Sequence, residues 1–192
     1  MVSVAVDDPT ALRQVVAALR AGDAVVIPTE TVYGVAALPA HQERLLALKG
    51  RPSSVPIAVL VADGIQAAGA TGLEFTEVAQ RLVDAFWPGP LTLVLPTFEG
   101  STLGVRCPDH AFVRAVTAEV GPIATTSANR HGAPTPATAA AAAADLAGPV
   151  AVVVDSGSLT GLASTVVDVT GDDPVILREG AIARAAIGAA IG

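Results

Sequence analysis

The chain has 192 residues, 52% of them hydrophobic but only 3% aromatic, and a net charge of −7 carried with ten arginines and one lysine. A domain of this length buries roughly 70% of the surface its unfolded chain exposes, here by packing small and β-branched side chains rather than rings. The acidic balance argues against a protein whose main task is to grip a phosphate backbone, and one cysteine, Cys107, excludes an internal disulfide or a cysteine-rich metal site and fits a reducing compartment.

The opening MVSVAVDDPT has neither a basic segment nor a long apolar one, so no secretory signal is read. The alanine run Ala139 to Ala144 falls far short of the ~20 apolar residues of a membrane span. A soluble, cytoplasmic, single-domain protein without membrane contact is expected over residues 1–192. DDPTALRQVVAALRAG predicts a helix with an Asp cap, Pro in the first turn, Leu12, Val15, Val16 and Leu19 on one face, and Gly22 as its stop. AVVIP reads as a buried strand, the polar run TETVYG follows, HQERLLALK is a short helix ending at Lys49, and PIAVLV is a second strand.

EFTEVAQRLVDAF carries helix signals, the turn WPGP leads into the strand LTLVLP, and GVR starts another short strand. DHAFVRAVTAEVG is a capped helix, PIATTS a strand, PATAAAAAADL a helix of high intrinsic propensity, and VAVVVD, STVVDVT and PVILR are strands before a weak C-terminal helix in AIARAAIGAAIG. Alternating strands and helices, several of the strands continuously apolar, predict a layered α/β (α+β) domain around a buried mixed sheet. Polar clusters follow two of these strands directly, TETVYG after AVVIP and SANRHG after PIATT, and strand ends are where open α/β sheets place ligands.

The common nucleotide loops, zinc-protease helices and the G-x-S-x-G elbow are absent, and His41, His110 and His131 are scattered without ligand spacing, so no protein-held metal is expected. What the loops do carry is hydroxyls and cations: Thr29, Thr31, Tyr33, Lys49, Arg51, Thr102, Arg106, Ser127, Asn129, Ser164, Thr165 and Arg178. Such a set suits anionic ligands, because arginine offers a planar fork and lysine a movable point charge. Local reading leaves Lys49 open between a compact ammonium needed at such a site and a surface lysine left over by a composition that favours arginine. It leaves TTSAN open between a site and an ordinary turn, and WPGP reads as a rigid structural turn.

In order along the chain, PTETVYG, KGRP, WPGPLTLVL, GVRCP, TTSAN, STVVD and ILREG together resemble the YrdC/Sua5 family of threonylcarbamoyl-AMP synthases, from about Ala24 to Gly180. The resemblance, to the short single-domain form, implies a three-layer fold with a twisted mixed sheet around a deep concave pocket. It implies a nucleotidyltransferase that makes threonylcarbamoyl-AMP and pyrophosphate from L-threonine, bicarbonate or CO2, and ATP. The product would feed a separate transferase complex that installs t6A37 in tRNA, so tRNA would be only an indirect partner. By motif position it implies Thr29, Arg106 and Ser164 for threonine or its carbamate, and Lys49, Ser53, Thr102, Ser127, Asn129, Thr135 and Arg178 for ATP. It further implies Lys49 and Arg51 as the catalytic cations and Mg2+ arriving with ATP, and it implies no tightly bound organic cofactor.

One departure is Val55, which stands where many family members carry a second lysine. The segment SANRHGAPTPAT, residues 127–138, is a candidate lid, with a static loop ahead of a helix as the alternative. Competing expectations are a paralogue without this activity, a carbamoyl-AMP-forming enzyme, a non-catalytic double-stranded RNA-binding module and, weakest, a serine hydrolase built on Ser127 and His131.

Overall fold

Short valine- and leucine-rich strands can be buried on both faces only if helices cover them, and the chain supplies the two in alternation. The computed structural model describes residues 1–50, 57–72 and 75–192. In chain order it contains β1 (Val2–Ala5), α1 (Ala11–Arg20), β2 (Val25–Ile27), β3 (Gly34–Ala37), α2 (Glu43–Lys49), β4 (Ala58–Leu60), α3 (Gly64–Thr71) and α4 (Glu77–Phe86). It continues with β5 (Leu91–Pro96), β6 (Thr102–Arg106), α5 (Ala111–Val120), β7 (Ile123–Ser127), α6 (Ala139–Asp145), β8 (Val152–Asp155), β9 (Thr165–Asp168), β10 (Val175–Arg178) and α7 (Arg184–Ile191). The described strands form one mixed sheet in the order β1-β8-β2-β3-β7-β4-β6-β5-β9-β10. No described helix is long and apolar enough to cross a membrane.

The period-two alternation of each strand decides which core it feeds. In β2, β3 and β8, Val25, Ile27, Ala36, Val152 and Val154 pack with Val15 and Leu19 of α1 and Val113 and Val116 of α5. Their neighbours Val26, Val35, Ala37 and Val153 face the other way, onto Leu45 and Leu48 of α2 and Ala139 and Ala142 of α6. A third core lies under α4 and α7, where Leu82 and Ile187 meet Leu91, Leu93 and Leu95 of β5, Val105 of β6 and Val167 of β9. Each fully buried leucine of this set contributes roughly 1.5–3 kcal/mol over an exposed one.

The opposite faces of β4, β5, β6 and β9 mix small or polar residues, Ala58, Thr92, Thr102, Gly104, Ser164 just ahead of β9, and Asp168, with Leu60, Val94 and Val166. They form the floor of a cavity instead of a fourth core.

Several local expectations are revised. Helix α1 starts later than its motif suggests: Pro9 lies in the turn before it, and Asp8 Oδ1 accepts from Thr10 N–H at 2.7 Å and Thr10 Oγ1 at 2.6 Å rather than capping the helix. Gly22 does end it, at φ 82°. Thr76 caps α4 and Thr138 caps α6, each hydroxyl accepting from the N–H three residues on. Strands β1 and β3 and helix α3 lie where no element was expected.

Candidate active site

The cavity encloses about 700 Å³ and is walled by strand ends and the loops that leave them. Register brings its floor together: Gly104 pairs with Val94, Thr92 with Val166, Val94 with Asp168, Leu60 with Arg106, and Ala58 with Thr125. Thr102 and Arg106 stand four residues apart on β6, so the floor runs for about 13 Å between them.

At one end, Arg106 is buried and its guanidinium is held from several sides. Nε donates to Gly89 O at 3.1 Å, Nη1 and Nη2 both donate to Thr31 Oγ1 at 3.1 Å, and Nη2 lies 2.7 Å from Glu30 Oε1. The WPGP turn therefore does more than reverse the chain, since its Gly89 carbonyl aims Arg106. Thr31 is in turn fixed by Thr29, whose hydroxyl meets Thr31 Oγ1 at 2.8 Å, donates to Val32 O at 2.7 Å and accepts from the Thr31 and Val32 N–H groups.

Beside this group, Ser164 Oγ meets Thr92 Oγ1 at 2.9 Å. Arg178 donates to Ser164 O from Nε at 3.1 Å and from Nη2 at 2.8 Å, and to Ser164 Oγ at 3.1 Å. Desolvation at the cavity wall, and secondarily the nearby Arg106 charge, lower the proton affinity of the Arg178 guanidinium. Two guanidiniums therefore share one end of the cavity, an arrangement that favours an anion between them.

The other wall is built where β7 meets α2. Lys49, 4% exposed at the C-terminus of α2, donates from Nζ to Ser127 O at 2.5 Å, to Asn129 Oδ1 at 3.2 Å and to Ser127 Oγ at 3.4 Å. Ser127 Oγ donates to Asn129 Oδ1 at 2.5 Å, and Asn129 Nδ2 donates to Arg130 O and Ala133 O. Ser127 reaches the cavity, whereas Lys49 and Asn129 sit one layer behind it. The lysine thus clamps α2 to the end of β7, a role the motif did not suggest.

The segment 127–138 is a wall of the cavity here. It is tied down by Arg130 N–H on Asp145 Oδ2 at 2.7 Å, His131 N–H on Lys49 O at 3.1 Å and Leu159 N–H on Ala137 O at 2.7 Å.

Of the residues singled out from the sequence, Thr29, Thr102, Arg106, Ser127, Thr135, Ser164 and Arg178 all line this one cavity. Arg51, Ser53 and Val55 lie outside the described residues. Tyr33 is fully buried and structural: its hydroxyl donates to Gly157 O at 2.7 Å and accepts from Ser156 N–H. Thr165 is structural as well, its hydroxyl bridging Ile182 O and the N–H groups of Gly180 and Ile182. Thr92, Gly104 and Asp168 were missed; the available signal was a lone polar residue inside the otherwise apolar LTLVL, and Ser164 and Asp168 in phase with one another at the two ends of STVVD. Glu30 was missed too. Among the described residues no group of three or more His, Cys, Asp or Glu is placed to hold a metal ion.

Residues 17–180 match the Sua5_yciO_yrdC family model, described as telomere recombination. A Bacillus subtilis threonylcarbamoyl-AMP synthase is 40% identical over 97% of this chain and 58% of its own length, and one from Pyrococcus abyssi is 36% identical over 91% and 55%. This chain thus spans rather more than half the length of those two relatives. A putative threonylcarbamoyl-AMP synthase from Mycobacterium tuberculosis is 37% identical over 92% of this chain and 87% of its own. The crystal structure of P. abyssi Sua5 complexed with L-threonine superposes with a TM-score of 0.90 at 34% identity, covering 100% of this chain and 60% of that one. With sequence, fold and cavity in agreement, the chain belongs to the Sua5/YciO/YrdC family.

Proposed function

We propose that this domain is an L-threonylcarbamoyladenylate synthase, a nucleotidyltransferase converting L-threonine, bicarbonate or CO2, and ATP into threonylcarbamoyl-AMP and pyrophosphate. The observation that carries the reading is the cavity with Arg106 and Arg178 at one end and a row of hydroxyls running about 13 Å from them. That length suits an amino acid and a nucleotide side by side. It is supported by relatives named for this activity and by a related structure that holds L-threonine.

In this mechanism Arg106, oriented by Thr31 and Gly89, takes the threonine carboxylate, with Thr29 and Ser164 beside it. The threonine nitrogen, once neutral, attacks bicarbonate with loss of water, or CO2 with loss of its proton to solvent, and an oxygen of the N-carboxylate then attacks the α-phosphorus of ATP as the bond to the departing pyrophosphate breaks in line. Such a transfer depends on positioning and charge neutralisation more than on covalent help from the protein. Ser127, Thr102, Thr135 and Arg178 would meet the nucleotide, with Lys49 and Asn129 holding the Ser127 wall in place and Arg51 and Ser53 adding to the phosphate site. Mg2+ would arrive on the triphosphate, liganded by phosphate oxygens and water. The product would pass to a transferase complex that modifies tRNA, in the cytoplasm.

Purified protein incubated with ATP, Mg2+ and bicarbonate, with and without L-threonine, is expected to give threonine-dependent threonylcarbamoyl-AMP by prompt mass spectrometry, with matching pyrophosphate. Folded, ATP-binding protein that makes neither would overturn the reading.

A further inference from the structure

Two arginines face one cavity that must receive a zwitterion and a polyanion, and their surroundings differ. Arg106 has a carboxylate against it: Glu30 Oε1 lies 2.7 Å from Nη2. Both Glu30 oxygens are buried, and among the described residues neither has an aligned hydrogen-bond donor. The contact is one of charge against charge, in a place where a carboxylate without a cation beside it would be expensive. Among the described residues the hydrogen bonds of Arg178 go to neutral groups, the carbonyl and hydroxyl of Ser164, and no described carboxylate lies within ion-pair distance of it. Thr29 and Arg106 line the cavity, whereas Glu30, between Thr29 and Thr31, does not. Glu30 therefore reaches a ligand only through Arg106.

We propose that Glu30 is a specificity-determining residue that sorts the two substrates between the two arginines. Glu30 offsets much of the Arg106 charge, so that this guanidinium favours a ligand bringing its own cation, an α-amino acid, over a polyphosphate. Arg178 keeps its full charge for the phosphate chain. Without this difference, phosphate would occupy both arginines and exclude the amino acid. The inference rests on the synthase reading for the identity of the two ligands.

The test is calorimetry with two probes, L-threonine and Mg2+-pyrophosphate, on the wild-type domain and on Glu30→Gln, which keeps the shape and removes the charge. In the wild type, pyrophosphate binding is expected to weaken at least tenfold in Arg178→Gln, and saturating pyrophosphate is expected to change L-threonine affinity by less than about twofold. In Glu30→Gln, pyrophosphate is expected to compete with L-threonine, lowering its apparent affinity at least tenfold, and Glu30→Asp, which retains the charge, is expected to restore much of the independence. Competition already present in the wild type, or independence preserved in Glu30→Gln, overturns the proposal. The wild-type measurement decides even if Glu30→Gln does not fold. Failure of the synthase reading looks different, because the wild type would then bind no L-threonine at all.

Discussion

Replacing Thr31 by valine keeps the shape of a side chain that is 2% exposed and removes the oxygen on which Arg106 Nη1 and Nη2 converge, each at 3.1 Å. The Thr29 hydroxyl keeps its bond to Val32 O, and Arg106 keeps Gly89 O and Glu30. What is lost is two hydrogen bonds from a buried cation, worth about 1.5–3 kcal/mol each in favourable settings and partly made good by what remains. The expected destabilisation is therefore roughly 3 kcal/mol, a large share of the ~5–15 kcal/mol typical of a domain. In urea the unfolding midpoint should fall by about 1–2 M with an unchanged slope. Thr31→Ser keeps the oxygen and should cost only about 1 kcal/mol, for the lost methyl group. L-Threonine affinity, by calorimetry, should drop at least tenfold in the valine variant and little in the serine variant. Equal midpoints and equal affinities in the two would refute the idea that Thr31 holds the guanidinium.

Further outcomes are expected elsewhere. Lys49→Met keeps the length of the stem and removes an ammonium that Ser127 and Asn129 share, so it should lose at least ~2 kcal/mol by urea unfolding together with most synthesis. Lys49→Arg should also be impaired in synthesis, and normal turnover in both purified variants would discard the role. Burial pushes the Cys107 thiol up to about 11, so maleimide labelling of folded protein at pH 8 should run far slower than that of a free thiol, and equal rates would contradict it. Because the unfolded thiol ionises first, its share of stability is whole below pH 9 and declines by roughly 2 kcal/mol as pH rises toward 11. That slope should vanish in Cys107→Ala. Burial holds His110 below its ordinary 6.5 even though Glu30 opposes the effect, so its contribution is full above pH 6.5 and lost as pH falls through the lower folded value. Urea midpoints at pH 7.5 and 5.5 should differ more for the wild type than for His110→Gln, and identical differences would refute this.

The elements with strong periodicity were legible from residues alone. Val15, Val16 and Leu19 do face the core, and the polar clusters after AVVIP and PIATT do open onto the cavity. Strand β3 was not legible, because Gly-Val-Ala-Ala has little strand propensity; it is held in place by β2 and β7 on either side. Helix α3, Gly-Ile-Gln-Ala-Ala-Gly-Ala-Thr, has a weak apolar face and gave no periodic signal. At the site, Arg106, Ser164 and Arg178 were found as charges and hydroxyls in order along the chain. Thr31, Gly89 and Glu30 act on Arg106 from positions 75, 17 and 76 residues away in sequence, and no local pattern announces such a contact. Lys49 was singled out correctly as unusual, but its burial against Ser127 depends on packing between α2 and β7 that spacing does not encode.

Gly104, on the cavity floor, has no unusual backbone angle to justify a glycine. An added methyl group there would stand 3.3 Å from Ala58 Cβ and 3.6 Å from Thr92 Cγ2, closer to Ala58 than such carbons ordinarily pack, so β4 would have to give by a few tenths of an ångström. Alanine in its place would relieve the strand of about 0.5–1 kcal/mol of backbone entropy cost but would press on β4, and overpacking costs about 1–3 kcal/mol. Gly104 thus serves two ends at once, letting β4 lie close against β6 and keeping the floor of the chamber low enough for a ligand.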